Sequence, residues 1–283
     1  MRRAALPVAT LVVCCWSALA ADPPKPAPPP AVVPALTQSN PPILCIDCDA
    51  PFDTATHKKL LEDLAKSPYV AEMRKGLYFQ DILHQFESKA HFDNCDFDSA
   101  IDYMIGLLDE TQSHVAAAQD AKKSNDSSAM QAAAERAFLA LGQAVHGVQD
   151  FYAHSNYVEM QAPKVKDVLD IEIITPWRAT GRERIKQLQN EGLISGFVFW
   201  GFPQKCPANT LSHEDLAKDS DSTKSGKRLL PHLQNISQYR IAVFLAREAS
   251  LKFMNDAFKR WPLLKEINGP QVAVDVLIDR RGF

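Results

Sequence analysis

The chain has 283 residues, with 31 Lys and Arg residues against 34 Asp and Glu residues, so its formal net charge is −3 at pH 7. Nucleic-acid-binding proteins usually carry a basic patch or stripe, so an acidic chain of this kind argues against nucleic acid as a partner. Hydrophobic residues make up 46% of the chain. This length and composition fit one large domain or two small ones with a sizeable core.

The N-terminal residues have the features of a secretory signal peptide. Arg2 and Arg3 precede an uncharged apolar stretch, and residues 18–20 form a small-x-small cleavage signal. No later stretch approaches the ~20 apolar residues that a transmembrane helix needs. We therefore expect removal of residues 1–20 and a secreted or periplasmic protein without a transmembrane segment. Its remaining 29 basic and 34 acidic residues give a net charge of −5.

A proline-rich segment follows the signal peptide, over residues 21–42. Proline supplies no backbone donor and favours an extended chain, so this segment is expected to be a disordered arm or a semi-rigid spacer. The folded domain is expected over residues 43–283.

Cysteines at positions 45, 48, 95 and 206 remain after cleavage. In an exported protein an even number of cysteines favours up to two disulfides, and three connectivities are open. Cys45 and Cys48 also have Cys-x-x-Cys spacing, which leaves metal binding or redox chemistry as the alternative for that pair.

The hydrophobic pattern predicts three long amphipathic helices and almost no alternating strands, which indicates an all-α, multi-helix bundle with long loops. The first is expected over about 97–122, the second between Ser127 and Ser155, and the last over about 232–259. The second carries the strongest buried seam, at 3–4 spacing: Phe138, Leu141, Val145, Val148 and Tyr152. The aromatic residues of 197–202 are interpreted as buried core, with contact to acyl chains as the alternative. Residues 272–278 are interpreted as a short strand or the end of a packed arm.

The second helix also carries the residues most suited to metal binding. His146, Asp150 and His154 recur every four residues and so share one face of the helix. Imidazole and carboxylate groups supply the lone pairs that a divalent metal needs. A single His-x-x-x-Asp pair is often only a surface hydrogen bond, but the third residue in the stripe favours a metal site.

Further clusters of metal-capable residues flank this helix in the sequence. The acidic segment from Asp81 to Asp98 contains His91, and the polar segment 211–221 contains His213 and Asp219. Each cluster alone is equally compatible with a solvated surface.

Taken in order, these motifs resemble the Het-C family, which is similar to the zinc-dependent phospholipases C and more distantly to the zinc-dependent single-strand nucleases. The motifs are Thr56-His57, His91-Phe-Asp-Asn, the long motif from Leu141 to Glu159, and Leu211-x-His213-x-x-Leu-x-Lys-Asp219. The resemblance spans about 52–255. It implies a helical fold of the zinc-dependent phospholipase C type, with a metal cluster in a cleft.

The resemblance also implies a set of site residues and a cofactor. The metal ligands would be His57, Asp81, His91, His146, Asp150, His154, His213 and Asp219. Asp81 and Asp150 would be catalytic, with Asp150 a candidate bridge between two metals. The implied cofactor is zinc, two or three ions, with calcium as an alternative. In the bacterial phospholipases an N-terminal Trp completes one metal site, whereas cleavage after residue 20 would leave Ala21 at this position. Those enzymes also have a carboxylate ligand where this chain has Ala217, so Asp219, Asp215 or Glu159 would have to supply it. Two bound metals are therefore more consistent with the sequence than three.

The function expected from this resemblance is that of a metal-dependent phosphoric diester hydrolase, phospholipase C-like, with a phospholipid or membrane surface as substrate. Two alternatives remain at this point. One is a single-strand nuclease with the same metals. The other is a non-catalytic binding or signalling protein whose metal site is degraded or structural.

Overall fold

A computed structural model of the protein describes residues 68–199 and 204–277. The expected signal peptide, the proline-rich arm, Cys45, Cys48 and His57 lie outside these described residues. Within the described ranges helices predominate, and two short strands pair antiparallel. The predicted all-α, multi-helix fold is confirmed. None of the helices in the described part of the chain is both long and apolar enough to span a membrane.

The helices and strands are numbered in chain order. They are α1 (Pro68–Leu83), α2 (Phe97–Lys123), α3 (Ser127–His154), α4 (Tyr157–Gln161), α5 (Ala179–Asn190), α6 (His213–Leu216), β1 (Leu229–Leu230), β2 (Ile236–Ser237), α7 (Gln238–Arg260), α8 (Pro262–Glu266) and α9 (Gly269–Leu277). Helix α3 is central, because α1, α2 and α7 all pack against it.

Helices α2 and α3 begin and end close to where the sequence predicts. The side chain of Asp126 accepts a hydrogen bond from the Ala129 backbone N–H at 2.9 Å and so caps α3. The apolar seam of α3 is fully buried: Phe138, Leu141, Val145 and Val148 are each 0% exposed. The 3.6-residue periodicity therefore identified the core-facing side of α3 correctly.

Two predicted elements near the C-terminus differ from the structure. Helix α7 begins at Gln238 rather than near His232, because Gln234 and Asn235 adopt left-handed φ angles of 60° and 57° that a right-handed helix cannot contain. Of the two interpretations of 272–278, the short strand is wrong, since Gly269–Leu277 is helical. Helix α9 packs against α7 and α1 and buries Val272, so tertiary packing overrides the strand propensity of its β-branched residues.

The crossing of α1 and α3 depends on two glycines. A Cβ atom at Gly142 would lie 2.0 Å from the carbonyl oxygen of Met73, and one at Gly76 would lie 2.2 Å from the carbonyl oxygen of Leu139. The two backbones therefore touch directly, as only glycine permits. Next to this contact the buried Gln80 side chain donates a hydrogen bond to the Gln143 carbonyl at 3.2 Å.

The aromatic segment after residue 196 is not buried core where the structure describes it. Phe197 is 40% exposed and Phe199 is 75% exposed. Trp200 and Phe202 lie outside the described residues. The core interpretation of this segment is therefore wrong for its two described phenylalanines.

Candidate metal centre

The C-terminal half of α3 presents its imidazole and carboxylate stripe to neighbouring segments rather than to bulk solvent. His146 and His154 are each only 8% exposed. Between them, the Asp150 Oδ2 atom lies 2.8 Å from His146 Nε2 and 3.8 Å from His154 Nδ1. One carboxylate oxygen therefore lies within reach of both histidines of the helix.

A tight segment between α1 and α2 brings His91 and Asp93 to this stripe. Phe92, between them, has a left-handed φ of 56° and is 1% exposed. Its ring packs edge-on against Phe151 of α3, with centroids 5.7 Å apart. Because the backbone reverses at Phe92, the aromatic ring enters the core while the polar side chains on either side face the metal-capable stripe.

The segment around His91 is tied to residues far along the chain. Cys95 and Cys206 form a disulfide. The Asn94 side-chain oxygen accepts a hydrogen bond from the Val198 backbone N–H at 2.7 Å, and the Ser195 hydroxyl accepts one from the Cys95 N–H at 2.8 Å. These contacts fix the segment against Ser195, Val198 and Cys206.

The same region places His213. Gly196 lies directly against it, because a Cβ atom at Gly196 would come within 2.4 Å of the His213 Cα atom. The His213 N–H donates to the Phe197 carbonyl at 3.0 Å, and Ser212 caps the single turn of α6. The imidazole ring then packs edge-on against His154, with centroids 4.4 Å apart.

These segments together assemble two clusters that could each hold a metal ion. The first donor group consists of Asp81, His91 and His146, and the second donor group consists of Asp93, His154 and His213. In each group one donor atom from every residue lies within 4.8 Å of the others.

Asp150 links the two groups, and Asp219 adds a further carboxylate to the second. Asp150 Oδ2 lies 2.9 Å from His91 Nδ1 and 2.8 Å from His146 Nε2 in the first group, and 3.8 Å from His154 Nδ1 in the second. Asp219 Oδ1 lies 3.3 Å from His154 Nε2.

The spacing of the donor atoms fits a metal ion. Two ligands of one tetrahedral zinc ion, each at about 2.0–2.1 Å, are roughly 3.4 Å apart. In the first donor group His146 Nε2 lies 3.1 Å from His91 Nδ1 and 3.6 Å from Asp81 Oδ1. In the second, His213 Nδ1 lies 3.0 Å from Asp93 Oδ1.

The charge of the site also fits cations. With neutral imidazoles, the carboxylates of Asp81, Asp93, Asp150 and Asp219 carry a formal charge of −4, which two divalent cations would balance. The buried Nε2 atom of His91 has no hydrogen-bond partner among the described residues. A donor set of this kind suits zinc and other imidazole-preferring metals.

Without a cation, the carboxylates favour protonated histidines. Burial acts to lower the pKa of His146, but the adjacent Asp150 carboxylate outweighs it and raises that pKa. Burial opposes the charged form of His154 too, yet Asp150, Asp219 and Asp93 together hold its pKa well above the usual value. Burial raises the pKa of Asp150, whereas the two imidazoles, His146 foremost, hold it well below the usual value. The site is therefore strongly attractive to positive charge.

A backbone contact orients one of the histidines. His154 Nδ1 lies 3.0 Å from the His91 carbonyl oxygen, which can only accept a hydrogen bond. With the proton on Nδ1, the Nε2 lone pair would be left for a metal ion on the side of Asp219. Metal-binding histidines commonly use such a contact to fix the ring and its tautomer.

The structure brings together all the sequence-predicted site residues that it describes. These are Asp81, His91, His146, Asp150, His154, His213 and Asp219. The eighth, His57, lies outside the described residues. The sequence left Asp219, Asp215 and Glu159 as alternatives for one further carboxylate ligand. Of these three, Asp219 lies near His154, whereas Glu159 pairs with Lys218 and Asp215 pairs with Lys224.

Asp93 belongs to the second donor group, although the sequence-based assignment did not include it. Its position two residues after His91, within the same short motif, is the sequence feature that could have identified it. The motif alone does not reveal that the backbone reverses at Phe92 and sends the two side chains to different donor groups.

A cavity of about 160 Å³ opens beside the candidate metal centre, between α3 and α7. Asp150 and Asp219 form part of its wall. The other lining residues are Gln149, Ala153, Lys218, Tyr239, Ala242, Val243, Ala246 and Arg247. The cavity therefore connects carboxylates of the site to an otherwise largely apolar wall.

The family whose model matches this chain differs from the family that the sequence motifs resemble. Residues 78–172, about a third of the chain, match the family model of the VWA7 N-terminal domain. This segment contains His91 and Asp93 and the stripe of α3, but not His213 or Asp219. The expected relationship to the Het-C family and the zinc-dependent phospholipases C is therefore wrong, because the matching model belongs to a different family. No curated protein and no solved structure matches the chain.

Proposed function

We propose that the protein is a metal-dependent phosphodiesterase that hydrolyses phospholipid head groups, with zinc as its metal. The observation that carries the proposal is the pair of donor groups joined through the Asp150 carboxylate. Adjacent divalent cations at such a site supply Lewis-acid chemistry, since they lower the pKa of water toward about 7 and neutralise phosphoryl charge.

The residues of the site divide into an inner and an outer set. The Asp150 side chain is only 13% exposed and lies between the histidines, so it would hold the cations in place. The side chains of Asp81 and Asp219 are each 50% exposed and lie at the solvent side of the two donor groups. These outer carboxylates can accept a proton from the attacking water or deliver one to the leaving group, which is the role that Asp81 is proposed to fill.

Exposed apolar side chains on both sides of the site support a lipid substrate. Ile82, Leu83 and Phe86 follow Asp81 in the chain and are 41%, 63% and 64% exposed. Phe197 and Leu211, next to His213 through backbone hydrogen bonds, are 40% and 45% exposed. Apolar groups at the edge of a polar site can enter the interfacial region of a membrane.

The test is metal analysis combined with a hydrolysis assay. Zinc-loaded protein is expected to contain two ions per chain and to release phosphocholine from phosphatidylcholine vesicles. Asp150→Asn should lose both metals and lower the rate more than about 1,000-fold, because one substitution removes a ligand from both groups. Asp120→Asn is the matched control, since Asp120 is exposed on α2 and, among the described residues, its carboxylate pairs with Lys123.

Three results would contradict the proposal or redirect it. Zinc-loaded protein that releases no head group from phospholipid contradicts the lipid substrate. Cleavage of single-stranded DNA without lipid hydrolysis would favour the nuclease. A folded protein with bound metal and no hydrolysis of either substrate would favour a structural metal centre in a binding protein.

A further inference from the structure

The cavity between α3 and α7 is lined by a single face of α7. The lining positions Tyr239, Ala242, Val243, Ala246 and Arg247 follow the i, i+3, i+4, i+7, i+8 spacing of one helical face. Three of them are small aliphatic residues, and Ala153 of α3 also lines the cavity. The space thus arises where two packed helices present short side chains toward each other.

Arg247, an exposed residue, gives this cavity a positive charge in addition to Lys218, which is paired with Glu159. Its guanidinium has no ion pair or hydrogen bond to another residue of the described ranges, although Asp150 and Asp219 line the same cavity. The planar guanidinium fork can donate two hydrogen bonds to one phosphate, carboxylate or phosphonate group. An anion bound there would share the cavity with two of the carboxylates that are proposed to hold metal cations.

We infer that this cavity binds the substrate as an alkyl phosphate ester. Arg247 contacts the phosphate, and the alkyl part lies along Ala242, Val243 and Ala246. This inference rests on the proposed function, since it takes the phosphate to be the group that the metal centre attacks. Neither Arg247 nor Val243 belongs to the donor groups, so both can be changed without removing a metal ligand.

The test measures binding rather than turnover. Hexylphosphonate and inorganic phosphate are titrated into zinc-loaded protein by isothermal titration calorimetry, because the carbon–phosphorus bond of the phosphonate is not hydrolysed. Hexylphosphonate should bind at least about tenfold more tightly than phosphate, since its methylene groups become buried. Arg247→Gln should weaken the binding of both ligands about tenfold, by removing a charge-assisted contact.

The apolar wall is tested separately. Val243→Trp should fill the cavity and abolish the preference for hexylphosphonate over phosphate. Ala246→Leu reduces the same space by a smaller change and serves if the tryptophan variant does not fold. Arg136→Gln is the matched control for charge: Arg136 is exposed on α3, 14 residues before Asp150 and so about 21 Å away along the helix. This control should bind both ligands like the wild type.

The outcomes separate this inference from the proposed function. Arg247→Gln and Val243→Trp proteins that fold and bind hexylphosphonate like the wild type would overturn the inference, whatever the hydrolysis assay gives. Binding that depends on Arg247, in a protein that hydrolyses no phosphodiester, would support the binding site and contradict only the proposed catalysis.

Vesicles identify the source of the phosphate ester. Displacement of hexylphosphonate by dioleoylphosphatidic acid vesicles would support a lipid ligand in this cavity. Vesicles that do not compete would support a soluble alkyl phosphate in the same place.

Discussion

The two donor groups of the candidate metal centre are built in different ways. The first takes Asp81 and His146 from the long helices α1 and α3, and only His91 from an irregular segment. The second takes His154 from α3, whereas Asp93 and His213 come from a tight turn and a single-turn helix. Helix packing therefore sets the geometry of the first group, and tertiary tethers between loops set that of the second.

This difference predicts different sensitivities. Changes in helix packing should act on the first donor group through α1, whose position against α3 is set by the contact of Gly76 and Gly142. Changes in loop tethering should act on the second group through the Cys95–Cys206 disulfide. The following experiments would sharpen this comparison or break it.

The largest effect is expected from removing one histidine of each group. His146→Ala should empty the first donor group and His213→Ala the second, each leaving one zinc ion per chain where the wild type has two. The affinity of the affected donor group for zinc should fall by more than the ~10–100-fold that is typical for loss of an outer-shell partner. Elemental analysis after dialysis against a weak chelator measures the stoichiometry, and His114→Ala on the far part of α2 is the control. Two retained ions in both variants would contradict the assignment of these groups.

A smaller effect is expected from opening the disulfide. Cys206→Ser should lower the free energy of unfolding by about 4 kcal/mol, because the bridge closes a loop of more than 100 residues in the unfolded chain. Zinc bound by the second donor group should be weakened more than zinc bound by the first, and urea unfolding with zinc titration measures both. Wild-type protein treated with a phosphine reductant should behave in the same way. Equal weakening of the two zinc sites would break the comparison.

The smallest effect is expected at the helix crossing. Gly142→Ala places a methyl group 2.0 Å from the Met73 carbonyl oxygen, so α1 must shift. The expected loss is roughly 2 kcal/mol of unfolding free energy, with weaker zinc binding in the first donor group.

Gly106→Ala is the control for this substitution. A Cβ atom at Gly106 meets nothing within 4 Å. Because Gly106 lies inside helix α2, alanine should stabilise the protein by about 1 kcal/mol there. Thermal unfolding compares the two variants. If both are stabilised, the close crossing of α1 and α3 is not what positions Asp81.

The parts that sequence reasoning predicted well depend on local patterns. The bounds of α2 and α3 follow from apolar periodicity and from capping by residues such as Asp126. The metal-capable stripe of α3 follows from the same periodicity, since residues four apart share a face. The start of α7 was predicted less well, because apolar spacing does not reveal the left-handed residues Gln234 and Asn235.

The family assignment failed for a related reason. Short His- and Asp-containing motifs contain the residue types that any metal site of this chemistry uses, so their order along the chain does not identify one family. The segment that matches the VWA7 N-terminal domain, 78–172, includes the α3 stripe on which the Het-C resemblance mainly rested. The donor chemistry of these residues does not depend on which family is correct.

By itself the sequence determined that this protein is helical and that α3 carries a face of imidazole and carboxylate groups, because both properties depend on residues a few positions apart. Only the tertiary structure decided that Asp93 joins the second donor group, that Asp219 rather than Glu159 or Asp215 lies near His154, and that Arg247 lines the adjacent cavity. The residues in each of these pairings, including Asp150 and Arg247 in the wall of the cavity, lie about 60 to 120 positions apart in the sequence. Such distances in sequence are closed only when backbone reversals, glycine contacts and the disulfide bring separate segments to one place.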